Sequence, residues 1–315
     1  MDLEHSVCGP VCVPITIPLD DGSNFTWQVV NPAAMLTILC NRSGSFDAML
    51  RSTLARKPCN LSEPWDILAY TDDAAPGNLL SIDQSRKSYL FYWVFQQVQP
   101  EILTREAAWL IGGLIRTSVV KKAIGGISAI FKAWLKLFFR DACNFTTGIT
   151  IHSPRGPFTV VAKLSSVLAD DDAFSGIWSS KTSSGNKPCF KCVNVVSERS
   201  GWSGNGHVSV ACDNPNSFVL RTDEELWRAA DRLDAIAKGP HTKAYLESEE
   251  RLEGLNWNPH GVLWDRGLRQ YVRPISVYLD HHHIPQSPSL SVTTTIAFTI
   301  IQLSICKASN RRHRL

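Results

Sequence analysis

Hydrophobic and polar positions recur differently along the 315-residue chain, and the changes in pattern mark the elements. Residues 1–60 mix short apolar runs with Gly, Pro, Ser and Asn and keep no sustained period, so an irregular leader is expected there. At Trp65 the character changes. Asp66-Ile67-Leu68-Ala69-Tyr70-Thr71-Asp72 predicts a strand that ends in an acid, and Pro76-Gly77-Asn78 follows as a turn signal. A second strand is expected over residues 88–98, where Tyr89, Leu90, Phe91, Tyr92, Trp93, Val94 and Phe95 are bulky and β-favouring. Residues 107–120 are mostly apolar and read equally as a buried strand or a buried helix, because periodicity does not separate the two.

Over residues 127–139 the apolar positions Ile127, Ile130, Phe131, Trp134 and Leu135 recur at helical spacing, with Lys132 and Lys136 on the other face. This predicts an amphipathic helix packed on a sheet; the basic residues are too few for a membrane-surface helix. Residues 148–152 and 157–168 predict a hairpin joined through Ser153-Pro154-Arg155-Gly156, and its second strand runs into Asp170-Asp171-Asp172. Thr222-Asp223-Glu224-Glu225 is a capping box that opens a helix with Leu226, Ala230, Leu233 and Ile236 along one side. Strands alternating with helices in this order predict an α/β protein.

Composition agrees with a globular chain: 44% of residues are apolar and 19% charged, and 10 Trp with 13 Phe supply bulky core side chains. A formal net charge of +3 is too small to argue for nucleic-acid binding by itself, so any basic surface must be local. Pro10, Pro14 and Pro18 interrupt the first apolar stretch, which follows Asp2, Glu4 and His5; the start therefore lacks the basic, unbroken apolar character of a secretory signal. A nuclear or cytoplasmic location is expected, and nine cysteines in a reducing compartment are not a disulfide framework.

Cys189-Phe190-Lys191-Cys192 follows the polar turn Ser183-Ser184-Gly185-Asn186, where a metal knuckle would place two thiolates. With His207 and Cys212 downstream, the four soft or borderline ligands suit tetrahedral Zn²⁺; unliganded buried cysteines and redox chemistry are the alternatives. A second constellation is formed by acids at strand ends, Asp72 or Asp73 on one and Asp170 with Asp171 and Asp172 on another. Hard carboxylate oxygens converging from neighbouring strands are what Mg²⁺ or Mn²⁺ needs for phosphoryl transfer, although acids also end strands simply because loops are solvated. Asp280-His281-His282-His283 offers a third acid and three imidazoles, of which at most one or two can join one site because consecutive residues point apart.

With these residues in place the chain resembles transposase-like proteins abundant in dinoflagellate genomes, similar in style to the cut-and-paste transposases with an RNase H-like core. The resemblance rests on residues 70–78, 168–173, 184–196 and 255–261 (Leu-Asn-Trp-Asn-Pro-His-Gly), within a span of roughly 60–283. It implies an RNase H-like mixed sheet flanked by helices, with a small zinc-binding insertion bracing it. It further implies Asp72 as the first metal-binding carboxylate, Asp170 as the second and Asp280 as the third, with Asp280 and His283 standing where related proteins show Asp-x-x-His. DNA is the implied substrate, with a second copy of the chain as a further partner.

The organisation expected on this basis is a leader over 1–60, a core over 61–180, a zinc insertion over 181–220, a helical continuation over 221–283 and an apolar tail over 284–315. Past His283 the match stops, so the chain resembles a truncated, inactive family member. Residues 284–306 carry no charge and are followed by Lys307, Arg311, Arg312 and Arg314, which is nearly long enough to cross a bilayer. Pro285, Pro288, Thr293 to Thr295 and Gln302 weaken that stretch, leaving a membrane tail anchor, a buried strand and a non-native tail as the readings of it. Three functions follow: a transposase-like protein or degenerate fragment, a non-catalytic zinc-braced module for nucleic acid or protein, and a tail-anchored membrane protein.

Overall fold

A computed structural model describes residues 5–74, 87–103, 105, 108–139, 143–181, 185–202, 206–209 and 214–276. The chain opens with two short paired strands, β1 (His5–Ser6) and β2 (Gly9–Pro10), and a hairpin of β3 (Cys12–Pro18) and β4 (Asn24–Val30). Two helices follow, α1 (Pro32–Arg42) and α2 (Gly44–Arg56). The stretch expected to be an irregular leader is therefore ordered, and the reason is local. β3 is the outermost strand of its sheet, where Pro14 and Pro18 are tolerated because one side of the strand has no ladder to complete. Its partner buries Trp27 and Val29, and α1 starts with Pro32 behind Asn31, whose side chain accepts from the Ala33 and Ala34 amides.

Next come β5 (Trp65–Ala74), β6 (Ser88–Phe95), a single turn α3 (Pro100–Leu103), β7 (Leu110–Arg116), α4 (Thr117–Lys122) and α5 (Gly126–Phe139). The ambiguous apolar run over 107–120 thus divides into a strand and the start of a helix. The hairpin of β8 (Ile149–Ser153) and β9 (Gly156–Val160) leads into β10 (Ala162–Leu168). The single strand expected over 157–168 is split at Val161, and its second half leaves the hairpin to join the main sheet.

That sheet has six strands in the order β10-β5-β6-β7-β4-β3, with β10 parallel to β5 and every other neighbour antiparallel. The protein is α/β, a mixed sheet flanked by helices. Alternation along β5 turns Trp65, Ile67, Ala69 and Thr71 to one face, and cross-strand pairing aligns Phe91, Trp93 and Phe95 of β6 with them. α5 lies over this face: Trp134 packs on Phe91 at 5.4 Å and Phe138 on Trp93 at 5.2 Å between ring centroids. The approach is close enough to require glycine beneath the indoles. A Cβ on Gly112 would lie 2.3 Å from Trp134 Nε1, and one on Gly113 2.7 Å from Trp27 Cζ2.

β10 runs into α6 (Asp171–Trp178), which packs beside α5 at Gly176, where a Cβ would meet Ile127 Cγ2 at 2.6 Å. The later segment holds β11 (Val195–Val196), β12 (Val208–Ser209), α7 (Asp223–Lys238) and α8 (Lys243–Glu253). α7 starts in the expected capping box, Thr222 accepting from the Glu225 amide and Glu225 from the Thr222 amide. The stretch Leu255 to Gly261 then returns to the core as a latch. Asn256 N–H donates to Ser179 O (2.7 Å), and Asn258 Nδ2 donates to Gly125 O (3.0 Å) and Ser179 Oγ (3.1 Å). It thereby ties the end of α6 to the start of α5. Ser179 needs the tie, since it ends α6 in the left-handed region at φ 52°, uncommon for a residue with a Cβ.

Candidate functional site

The acids at the two strand ends lie at the same end of the sheet because β5 and β10 are parallel neighbours. Leu168 pairs with Tyr70, so two residues further on Asp170 follows β10 where Asp72 sits on β5. Alternation sends Tyr70 and Asp72 to the face opposite α5, where Tyr70 stacks on Tyr92 at 6.1 Å and meets Trp109 edge-on at 6.0 Å. Asp72 accepts on Oδ2 from the Tyr70 hydroxyl (2.7 Å) and on Oδ1 from the Asp73 amide (2.7 Å). Asp73 instead binds Lys87 Nζ at 2.5 Å. The carboxylate left to face Asp170 most strongly is therefore that of Asp72.

Asp170 is the N-cap of α6, and its Oδ1 accepts from the Ala173 amide at 2.7 Å. This local duty alone explains an acid at the position. Its electrostatics add a second property: burial first, and then the charges of Asp72, Asp73 and Asp172, push its carboxyl above the usual carboxylate range, with the Ala173 amide pulling the other way. The same negative field reaches two phenols. Tyr70 is raised by burial, by its bond to Asp72 and by Asp170, and Tyr89 by burial and then by Asp73 and Asp170. Lys87 is held charged by Asp73, with Asp170 contributing.

The described acids do not form a group of three or more arranged to hold a metal, but carboxylates that repel one another are stabilised by a cation placed between them. Asp72 and Asp170 would be the oxygen donors for Mg²⁺ or Mn²⁺, each keeping lone pairs beyond those its protein partners use. Asp280, with His281 to His283, lies outside the described residues, so the third acid is not placed.

At the cysteine element, Cys189 and Cys192 flank one turn and their thiols act on one another. Burial, and then Cys189, push the Cys192 thiol up to about 12. Phe190 between them anchors the loop, packing on Phe174 at 5.6 Å and Trp178 at 6.1 Å. The segment is held by backbone pairing, Arg221 N–H to Lys191 O (2.7 Å) and Val193 N–H to Val219 O (3.0 Å). Buried Asn194 is its hub: its Nδ2 donates to Gly206 O and Ser217 O, and its Oδ1 accepts from the Val219 amide.

His207 stacks on Trp202 at 5.5 Å, and its Nδ1 is buried with no hydrogen-bond partner. Among the described residues no group of three or more His, Cys, Asp or Glu side chains is arranged to hold a metal. Cys189 and Cys192 are thus paired, His207 does not join them in such a group, and Cys212 lies outside the described residues. The donor chemistry of the thiol pair suits Zn²⁺, and the orphaned imidazole nitrogen is the kind of atom a metal satisfies.

Two site residues, Tyr70 and Lys87, were not singled out from the sequence. Tyr70 was detectable in principle, because residues two apart on a strand share a face. Lys87 was not, since its pairing with Asp73 depends on the register of β5 with β6, which no local pattern encodes. No helix among the described residues is long and apolar enough to cross a membrane, and residues 284–306 lie outside them. No protein-family model matches the chain, and no curated protein is significantly similar to it.

Proposed function

We propose that the chain is a transposase-like protein on an RNase H-like core, whose ancestral reaction is Mg²⁺- or Mn²⁺-dependent cleavage and joining of DNA strands. The observation that carries this reading is the placement of Asp72 on β5 beside Asp170 at the end of its parallel neighbour β10. Three antiparallel strands β5-β6-β7, the helix α5 over the sheet and a parallel β10 on the far side of β5 support it, as does the cysteine element that follows α6. A divalent cation bound there would activate the attacking water and stabilise the leaving oxygen. The chain's own part is to aim the carboxylates: Tyr70 and the Asp73 amide orient Asp72, and the cap on α6 orients Asp170.

Calorimetric titration with Mn²⁺ tests the proposal on the wild type and on Asp170→Asn, which keeps the capping oxygen and removes the charge. Binding in the wild type that weakens at least about tenfold in the variant supports the reading, a loss of about 1.4 kcal/mol. Equal binding by both removes it.

A second reading, a zinc-braced module for nucleic acid or protein without catalysis, is favoured by the paired thiols of Cys189 and Cys192 and the partnerless His207 nitrogen. It predicts stoichiometric zinc and no Mn²⁺ site at the acids.

A further inference from the structure

Far from both acids and the Cys189–Cys192 loop in sequence, a cleft of about 480 Å³ opens between the N-terminal strands and the end of α5, with Val13, Asn31, Lys136 and Leu137 among its lining residues. Cys8 and Cys143 both line it. Each is held by its backbone or its neighbour. Cys8 N–H donates to Ser6 Oγ (3.0 Å) and its carbonyl accepts from Asn31 Nδ2 (3.0 Å), while Asn144, next to Cys143, donates through Nδ2 to Phe139 O at the end of α5. The two thiols line the same cleft and act on one another, and the Thr37 hydroxyl completes the surroundings of Cys8.

We infer that Cys8 and Cys143 are a modification site, a dithiol that closes to an internal disulfide with a low-molecular-weight disulfide such as oxidised glutathione. Two thiols that share one cleft and interact across it are placed to close to the bonded sulfur separation of about 2 Å. The cleft provides the approach that a buried pair lacks.

The exchange proceeds in two displacements. Cys143, its proton lost to solvent, attacks one sulfur of the reagent; a mixed disulfide forms and one glutathione thiolate leaves and takes up a proton. Cys8, deprotonated in turn, attacks the Cys143 sulfur, forming the Cys8–Cys143 bond and releasing the second glutathione. Two protein thiols are oxidised and one reagent disulfide is reduced to two thiols. Burial and then Cys143 push the Cys8 thiol up to about 12, and the second displacement is accordingly assigned to Cys8. The bond would close a loop of about 135 residues, fastening the N-terminal strands to the end of α5.

The full-length protein is incubated with oxidised glutathione, quenched by alkylation and digested without reduction for peptide mapping. The expected result is a cross-linked peptide pair carrying Cys8 and Cys143, a whole-protein mass lower by two hydrogen atoms for that link, and a thermal midpoint raised by roughly 5–10 °C. Cys8→Ser should then leave Cys143 carrying one glutathione. The map separates this link from any between Cys189 and Cys192. Both thiols remaining open to alkylation in the folded, oxidant-treated protein would overturn the inference, as would pairing of Cys8 with Cys12 or Cys40.

Discussion

Replacing Asp170 separates its two duties, because one oxygen caps a helix and the whole charge faces other acids. Asp170→Ala removes the acceptor 2.7 Å from the Ala173 amide, and loss of an N-cap costs about 1 kcal/mol, within a range of roughly 0.5–2. For a domain of this size that is a fall of about 2–4 °C in thermal midpoint. Asp170→Asn keeps an amide oxygen in the same place and removes the charge that Asp72, Asp73 and Asp172 repel. Asp170 is only partly shielded and stays open to solvent, which screens those charges, so that relief is worth only about a few tenths of a kcal/mol.

The direction of the pH dependence follows from the raised carboxyl. A raised folded-state value means that the ionised form is disfavoured by the fold. Asp170's contribution is therefore fully present below the ordinary carboxylate range and is lost as pH rises through the folded value. Wild type and Asp170→Asn should match in acid, and the variant should equal or slightly exceed wild type near neutrality. Far-UV circular dichroism melts with a chelator present, in acid and near neutrality, read all three proteins. If Asp170→Asn melts as early as Asp170→Ala near neutrality, the carboxylate is worth more to the fold than its neighbours cost it. The electrostatic picture of the cluster would then be wrong.

Other consequences are open to direct measurement. Gly112→Ala forces a Cβ to within 2.3 Å of Trp134 Nε1 and 2.6 Å of its ring carbons, so urea unfolding should show a loss of about 1–3 kcal/mol; an unchanged midpoint would mean the indole has room that the packing denies. Asn258→Ala strips the bonds to Gly125 O and Ser179 Oγ and should cost about 1–3 kcal/mol in the same assay, whereas a neutral result would show the latch to be dispensable. Cys189→Ser should abolish zinc measured by elemental analysis of the purified protein, and retention of full zinc content would place the metal elsewhere.

The strongly patterned parts of the chain were legible. β5, α5 and the capping box of α7 follow from alternation, helical spacing and Thr222-x-x-Glu225 because burial and capping act within a few residues of sequence. The N-terminal hairpin was not, since prolines read as breakers unless the strand is known to lie at an edge, which is a property of the whole sheet. The split at Val161 likewise depends on β10 finding β5, a pairing nearly 100 residues apart in sequence. At the site, acids at strand ends were visible, but their placement at one end of the sheet rests on a parallel register that no local pattern encodes. Leu255 to Gly261 was notable as a motif, and what it does, joining α5 to α6, emerged only from its hydrogen bonds.

The central claim is that Asp72 and Asp170 form one cation site at the end of the paired strands. Anomalous diffraction from crystals grown with Mn²⁺ tests it most directly. A manganese peak within coordination distance of both carboxylates, about 2.0–2.4 Å from each oxygen donor, is the predicted result. Crystals in which neither carboxylate contacts manganese, with Asp170 engaged only by the Ala173 amide, would contradict it.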